Sequence, residues 1–216
     1  QAANCLSGVA FLEAFNDGRL QGVSGRVLVI GGGDTSIDVA SVARRLGKIK
    51  NINEKDRPEN VVLGHTAHDV IDIAAREGAD VMLISRSPID KMNAAQYEID
   101  DALREGVNIQ GQLTPVEVIM GSDGRATGLR VQKLDADGKT PIEGEYEDLD
   151  SDLIVSAIGQ TGNLKGMEEF DNGRGLINSD RNFQVPSKPG FFVCGDIVRP
   201  HLLTTAIGQA AVAVES

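Results

Sequence analysis

The apolar run Arg26–Ile30 (RVLVI) passes without a break into Gly31-Gly32-Gly33-Asp34-Thr35-Ser36, and that loop passes without a break into a helix-patterned segment. Few folds accommodate this succession. Four consecutive β-branched and aliphatic positions, Val27–Ile30, describe a strand buried on both faces, as in a parallel sheet covered on both sides. Beyond the loop, Ile37, Val39, Ala40, Val42, Ala43 and Leu46 recur at helical spacing, and Gly47 closes the helix. Between strand and helix, Gly31 permits the tight turn and Gly33 lets a bound group approach the main chain. The helix start adds free amides and a positive dipole end. Ser36 stands where a small residue lets helix pack closely on strand. The pattern Gly-x-Gly-x-x-Ser in this setting points to the pyrophosphate of a dinucleotide, the plain alternative being a Gly-rich turn that binds nothing.

The remaining chain continues in the same manner. Residues 8–16 (GVAFLEAFN) read as a short helix stopped by Asp17-Gly18. Lys48–Asn60 is polar and turn-rich, Ala67–Arg76 reads as a second helix closed by Gly78, and Val81–Ile84 reads as another buried strand. Ala94–Arg104 is helical and ends at Gly106 before a strand at Val107–Ile109. From Pro115 to about Tyr146 the period changes to short strands separated by GSDG (121–124) and DADG (135–138), a β-meander. Asp152–Ala157 and Gly190–Cys194 read as further core strands, and Leu202–Val214 as an apolar, small-residue helix. The expected class is α/β: a Rossmann-like three-layer NAD(P)-binding domain with a β-meander insertion.

Charge and cysteine content exclude several classes. A net charge of −11 opposes binding to nucleic acid or an anionic membrane surface, although a small anion can still bind locally. Cys5 and Cys194 are far apart and form no CxxC pair, so neither a disulfide framework nor a dithiol redox motif is present. No apolar segment approaches the roughly 20 residues that span a bilayer. A soluble protein of a reducing cytoplasm is expected. Gln1 in place of Met, and Ser216 inside a helix-like stretch, suggest a piece of a longer polypeptide.

The residues after the second strand decide which dinucleotide is held. If that strand is Val81–Ile84, the deciding residues are Ser85, Arg86 and Ser87, a delocalised cation between two hydroxyls, suited to a 2′-phosphate and hence to NADPH. If it is Val61–Leu63, Gly64 and His65 take their place. His65, His68 and Asp69 have metal-like spacing but no distant third ligand and read better as a capped helix start. The acidic run Glu143, Glu145, Glu147, Asp148, Asp150 and Asp152 lacks the Gly-punctuated loop of a calcium site and reads as a solvated hairpin edge.

Five ordered motifs, GGGDTSIDVASVARRLG, a strand ending in SRS, MNAAQYEIDDALREGV, DLIVSAIGQ, and FFVCGDI with TTAIGQAA, together resemble the glutamate synthase small-subunit family of NADPH/FAD oxidoreductases. The resemblance covers nearly the whole chain. It implies that Gly31, Gly33, Asp34, Thr35 and Ser36 line the NADPH pyrophosphate and that Arg86, with Ser85 and Ser87, meets the 2′-phosphate. Ser87 departs from the family, whose members often carry a second Arg there, so NADH stays possible; the insertion at 48–79 is a second departure. The resemblance further implies that Ala157, Ile158 and Gly159, within Ser156–Gln160, lie near the bound nucleotides. It has the Asp196 carboxylate, beside Gly195, accepting a hydrogen bond from the FAD ribityl chain, and Thr205, Ala206 and Ile207 facing the flavin pyrimidine.

On this pattern residues 1–24 are a connector and part of an FAD domain, 25–155 the NADPH domain, and 156–216 the C-terminal part of the FAD domain. No Gly-rich loop before Gly31 can hold the FAD pyrophosphate, so the chain alone is expected to bind NADPH weakly, FAD poorly, and to be inactive. The implied function is hydride transfer from NADPH to FAD, with electrons passed to an iron–sulfur domain or subunit and no side chain acting as acid or base. The alternative is a non-catalytic NADPH-sensing regulatory module. A flavoprotein disulfide reductase is disfavoured by the missing CxxC.

Overall fold

The computed structural model describes residues 2–23, 25–46, 79–159 and 162–216. The features read from sequence at 47–78 lie outside the described residues: Gly47, the polar stretch, the helix at 67–76, the rival strand 61–63 and the His65/His68/Asp69 group. Gln160 does too. The chain divides into two units, residues 1–159 and 160–216.

The first unit is built on five short parallel strands: β1 (Cys5–Ser7), β2 (Arg26–Ile30), β3 (Asp80–Ile84), β4 (Asn108–Gln110) and β8 (Leu153–Ser156). They lie in the order β1-β8-β2-β3-β4. Strand residues point alternately to opposite faces, and here both faces are apolar. Val27, Val29, Val81, Leu83 and Val155 pack with Phe11 of α1 (Gly8–Asn16), Ile37, Val39, Ala40 and Ala43 of α2 (Asp34–Leu46), and Ile99 and Ala102 of α3 (Gln96–Arg104). Their alternates Leu28, Ile84 and Ile154 pack with Leu113, Ala126, Leu129, Val131 and Leu149, which belong to a second, antiparallel sheet. That sheet is the meander β5 (Leu113–Met120), β6 (Ala126–Leu134) and β7 (Pro141–Asp150). The unit therefore has three layers, helices on a parallel sheet on an antiparallel sheet. The meander is the third layer.

Every residue of β7 except Leu149 is exposed, so the acidic run expected there lines a solvated outer strand. Arg130 of β6 meets Asp148 through two hydrogen bonds of 2.7 and 2.8 Å, which holds the Asp148 carboxyl below the ordinary range.

Two elements differ from the sequence reading. Cys5–Ser7, not anticipated, forms the parallel edge strand β1 against β8; three residues carry too little pattern to announce a strand. It contributes, with α1, to the first unit. Conversely, Gly190–Cys194 is not a strand but makes a single bridge, Gln184 to Phe192. Gly190 has φ +89°, Phe191 closes a turn onto Lys188, and the segment pairs only across that bridge, with the Val193 amide bound to Phe183 and the Val185 amide to Phe191. Cys194 is correspondingly half-buried and not part of an apolar strand. The second unit has a small core of Leu164, Ile177 and Val185, with Phe170, Val193 and Ile197 around it. Its one long element among the described residues is α4 (Leu203–Glu215), which has no buried residue: Leu203, Ile207 and Val214 are 77%, 62% and 88% exposed. No described helix is long and apolar enough to cross a membrane.

β1 is held by a side chain more than by its length. Asn4 is buried, and its amide donates to the carbonyls of Ala126 (2.8 Å) and Asp152 (2.9 Å) while its Oδ1 accepts from the Ala126 amide (2.8 Å). One residue thus stitches the parallel sheet to the meander. Asn4→Ala removes the partner of three backbone groups, the two of Ala126 buried, and is expected to cost about 2–4 kcal/mol, read as a lower urea midpoint at unchanged m-value.

Candidate functional site

Because the five strands are parallel, their carboxyl ends share one edge, and α1 and α2 both start from it. β2 has β3 on one side and β8 on the other; the chain leaves β2 toward β3 through α2 and returns through β8. Open α/β sheets bind ligands at such a reversal, outside the strand ends. β3 is the neighbour of β2 throughout its length, Arg26 facing Asp80 and Ile30 facing Ile84, so Ser85–Ser87 follow the adjacent strand.

The loop Gly31–Gly33 sits at this point, and its three glycines answer to different neighbours. A Cβ on Gly31 would stand 2.5 Å from the Ala157 carbonyl oxygen and 2.7 Å from Ser36 Cβ; one on Gly32 would stand 2.6 Å from Ser85 Oγ. A Cβ on Gly33 would meet no described atom within 4 Å. Among the described residues, packing opposes a side chain at the first two positions and not at the third. Ser36 is fully buried, its hydroxyl donating to the Gly33 carbonyl at 2.6 Å. It lies beneath the loop and braces it, instead of lining its surface. Thr35 and Asp34, in the first turn of α2, are exposed.

A second set of contacts was not legible in sequence. The amides of Asn93 and Ala94 donate to the Gly32 carbonyl at 2.9 and 3.1 Å, and the Ala95 amide donates to Asp34 Oδ1 at 3.2 Å. Three successive amides ahead of α3 thus grip the loop, and α3, which lacks a side-chain cap of its own, is tied to Asp34. No local pattern around Asn93 signals this, because the partner is 61 residues away. Asp38, one turn into α2, has its carboxyl pushed up by burial first and then by Glu98 and Asp34. The acids thus gather where α2 faces α3.

Ser85 is buried; its Oγ accepts from the Ser87 amide at 3.2 Å, and its own amide and carbonyl are bound by Gln110 and Leu113. Arg86 between them is exposed and makes no ion pair among the described residues. On the other side of the loop, the Ala157 amide donates to the Ile30 carbonyl at 2.7 Å, Ile158 is 76% exposed, and Gly159 has φ +106°. The structure therefore brings Gly31–Ser36, Ser85–Ser87 and Ala157–Gly159 to one edge. Gly195, Asp196, Thr205, Ala206 and Ile207 belong to the second unit. There the Gly195 amide donates to Gln209 Oε1 at 2.7 Å, Asp196 Oδ1 accepts from the His201 amide at 3.3 Å, and Thr205 Oγ1 meets His201 Nδ1 at 2.8 Å. Gly195 and Asp196 open a short 3-10 turn, and the other three lie in the first turns of α4.

The sequence profile of the pyridine nucleotide-disulphide oxidoreductases matches residues 1–215. The chain belongs to that family. Among curated relatives, the NADPH-Fe(3+) oxidoreductase subunit beta of Geobacter sulfurreducens is 27% identical over 166 residues, 73% of this chain and 20% of that protein. The glutamate synthase [NADPH] small chain of Azospirillum brasilense is 28% identical over 203 residues, 87% of this chain and 35% of that one. The chain thus spans well under half the length of these relatives. Thioredoxin reductase of T. acidophilum superposes with TM-score 0.65 at 17% identity, covering 98% of this chain and 55% of that one. The Lactococcus lactis thioredoxin reductase gives 0.64 at 18%, covering 100% and 60%. These structures share the family's fold with the chain.

Asp34 is expected to act through α3. Asp34→Ala removes the acceptor of the Ala95 amide and should cost about 1 kcal/mol in urea unfolding, while Asp34→Asn, which keeps an oxygen there, retains most of it.

Proposed function

We propose that the chain is the NADPH-binding portion of a flavoprotein oxidoreductase in which hydride passes from NADPH to FAD and electrons leave toward iron–sulfur centres. The observation that carries the reading is Gly33, a glycine that no packing contact among the described residues requires, at the start of a helix on the edge where a dinucleotide would lie. A pyrophosphate supplies the missing reason: its oxygens need the main-chain amides at a distance a side chain would block. Gly31, Gly32 and Ser36 shape this cradle, and Thr35 adds an exposed hydroxyl beside it.

Arg86, whose neighbours are anchored and whose guanidinium makes no ion pair among the described residues, suits the 2′-phosphate of NADPH, and both relatives quoted above carry NADPH in their names. Residues 25–155 form the NADPH domain in this reading, with 1–24 as connector and partial FAD domain and 156–216 as the C-terminal part of the FAD domain. The apolar, unburied side chains of α4 support that assignment, since a helix of this composition belongs against a larger core. In it, Asp196 would accept a hydrogen bond from FAD, and the first turns of α4, at Thr205–Ile207, would face the flavin, where the dipole favours the reduced, more negative form. Bound together, the two cofactors supply the redox chemistry; the chain's residues bind and orient them. The relatives' names, an iron(III) reductase and a glutamate synthase, support an acceptor that takes electrons from such a flavin.

Two substitutions test this. Gly33→Ala should leave thermal stability nearly unchanged, since no contact among the described residues opposes the methyl group, while weakening NADPH binding by at least about tenfold; unaltered affinity by fluorescence titration would remove the pyrophosphate from this loop. Arg86→Glu should raise the NADPH dissociation constant by roughly two orders of magnitude and that of NADH by under about threefold, as expected for a charge-assisted phosphate contact.

A further inference from the structure

We infer that the β6–β7 turn, Asp135–Gly138, is a specificity-determining support for the loop Ser85–Pro88, fixing where Arg86 stands and hence the preference for a 2′-phosphorylated coenzyme. This rests on the reading of Arg86 given above.

Gly138 is buried although it closes a hairpin turn, and what covers it is the Arg86 loop. A Cβ there would lie 2.7 Å from the Arg86 carbonyl oxygen, 3.3 Å from Pro88 Cδ and 3.4 Å from Ser87 Cα. Against the same loop, a Cβ on Gly111 would lie 2.8 Å from the Ser87 carbonyl oxygen and 3.0 Å from Pro88 Cα. The loop thus packs against two glycines, one in the β4–β5 connection and one in the β6–β7 turn.

The supporting turn is itself held. The Gly138 amide donates to the Asp135 carbonyl, the Asp135 amide to the Thr140 carbonyl, and the Leu134 amide to the Gln112 carbonyl at 2.7 Å. The Gln112 side chain returns a bond to the Asp135 carbonyl at 2.8 Å. Asp137 accepts from the amides of Lys139 and Thr140. The Arg86 backbone therefore packs against a turn that is itself hydrogen-bonded in place. Pre-organisation of this kind lowers the ordering cost of binding, and it benefits only a ligand that the guanidinium contacts.

The meander contains its own control. Gly124 closes the β5–β6 turn at φ +77°, much as Gly138 does at φ +68°, but nothing lies within 4 Å of it. Gly124→Ala and Gly138→Ala carry the same backbone strain and differ in the contact with the Arg86 loop.

The experiment measures NADPH and NADH dissociation constants by fluorescence titration for the chain and for Gly138→Ala, Gly124→Ala, Gln112→Gly and Arg86→Gln. Gly138→Ala is expected to raise the NADPH constant about tenfold with NADH within about twofold, and Gly124→Ala to leave the ratio unchanged. Gln112 lies at φ 61°, where glycine is at ease, so Gln112→Gly frees the turn without strain and carries the test if Gly138→Ala does not fold. It should lower the NADPH preference several-fold. An unchanged ratio in both Gly138→Ala and Gln112→Gly, where Arg86→Gln lowers it, overturns the inference. Equal shifts in Gly138→Ala and Gly124→Ala also overturn it, assigning the effect to strain. No effect of Arg86→Gln overturns instead the reading of Arg86 itself.

Discussion

The missing side chain of Gly31 is the constraint on which the rest of the first unit depends. At that residue the chain leaves β2, its amide still bound to Ile84 of β3, while the Ala157 carbonyl presses from the end of β8 and Ser36 from the start of α2. The end of β8 and the start of α2 meet within the space one methyl group would occupy. Any larger residue would push α2 off the sheet or β8 away from β2, and either movement opens the layer that buries Val29, Val39 and Val155.

That crowding explains the order of the neighbouring residues. The buried Ser36 is small because Gly31 lies against it, and its hydroxyl closes on the Gly33 carbonyl so that burying it leaves no polar group unpaired. Gly32 yields to Ser85 and thereby couples the loop to the end of β3. The amides of residues 93–95 then take up the Gly32 carbonyl and the Asp34 carboxylate, so loop and α3 start are fixed together. Loop, strand end and helix start are thus joined by main-chain hydrogen bonds at one edge of the sheet.

The elements with strong periodicity were legible. β2, α1, α2 and the meander lie where the apolar pattern puts them, because a strand covered on both faces and a helix covered on one leave distinct signatures. The Gly-rich turn between β2 and α2 was legible too, since its residues are contiguous. What escaped was short or distant. β1 has three residues and owes its place to Asn4, whose partners Ala126 and Asp152 are more than a hundred residues away. Gly190–Cys194 has the composition of a strand, yet composition supplies no partner, and turn residues on its approach prevented one from forming.

The sequence by itself determined that this chain forms a layered α/β fold with a Gly-rich loop between a buried strand and a helix, because hydrophobic period and glycine placement are local properties. Only the tertiary structure decided which strand lies beside β2, and so that Ser85–Ser87 flank the loop, since strand order is set by long-range pairing that no local pattern encodes. It decided also what each glycine is for. Gly31, Gly32 and Gly33 are one letter three times in the sequence; in space the first two avoid the protein itself, and the third meets no described atom.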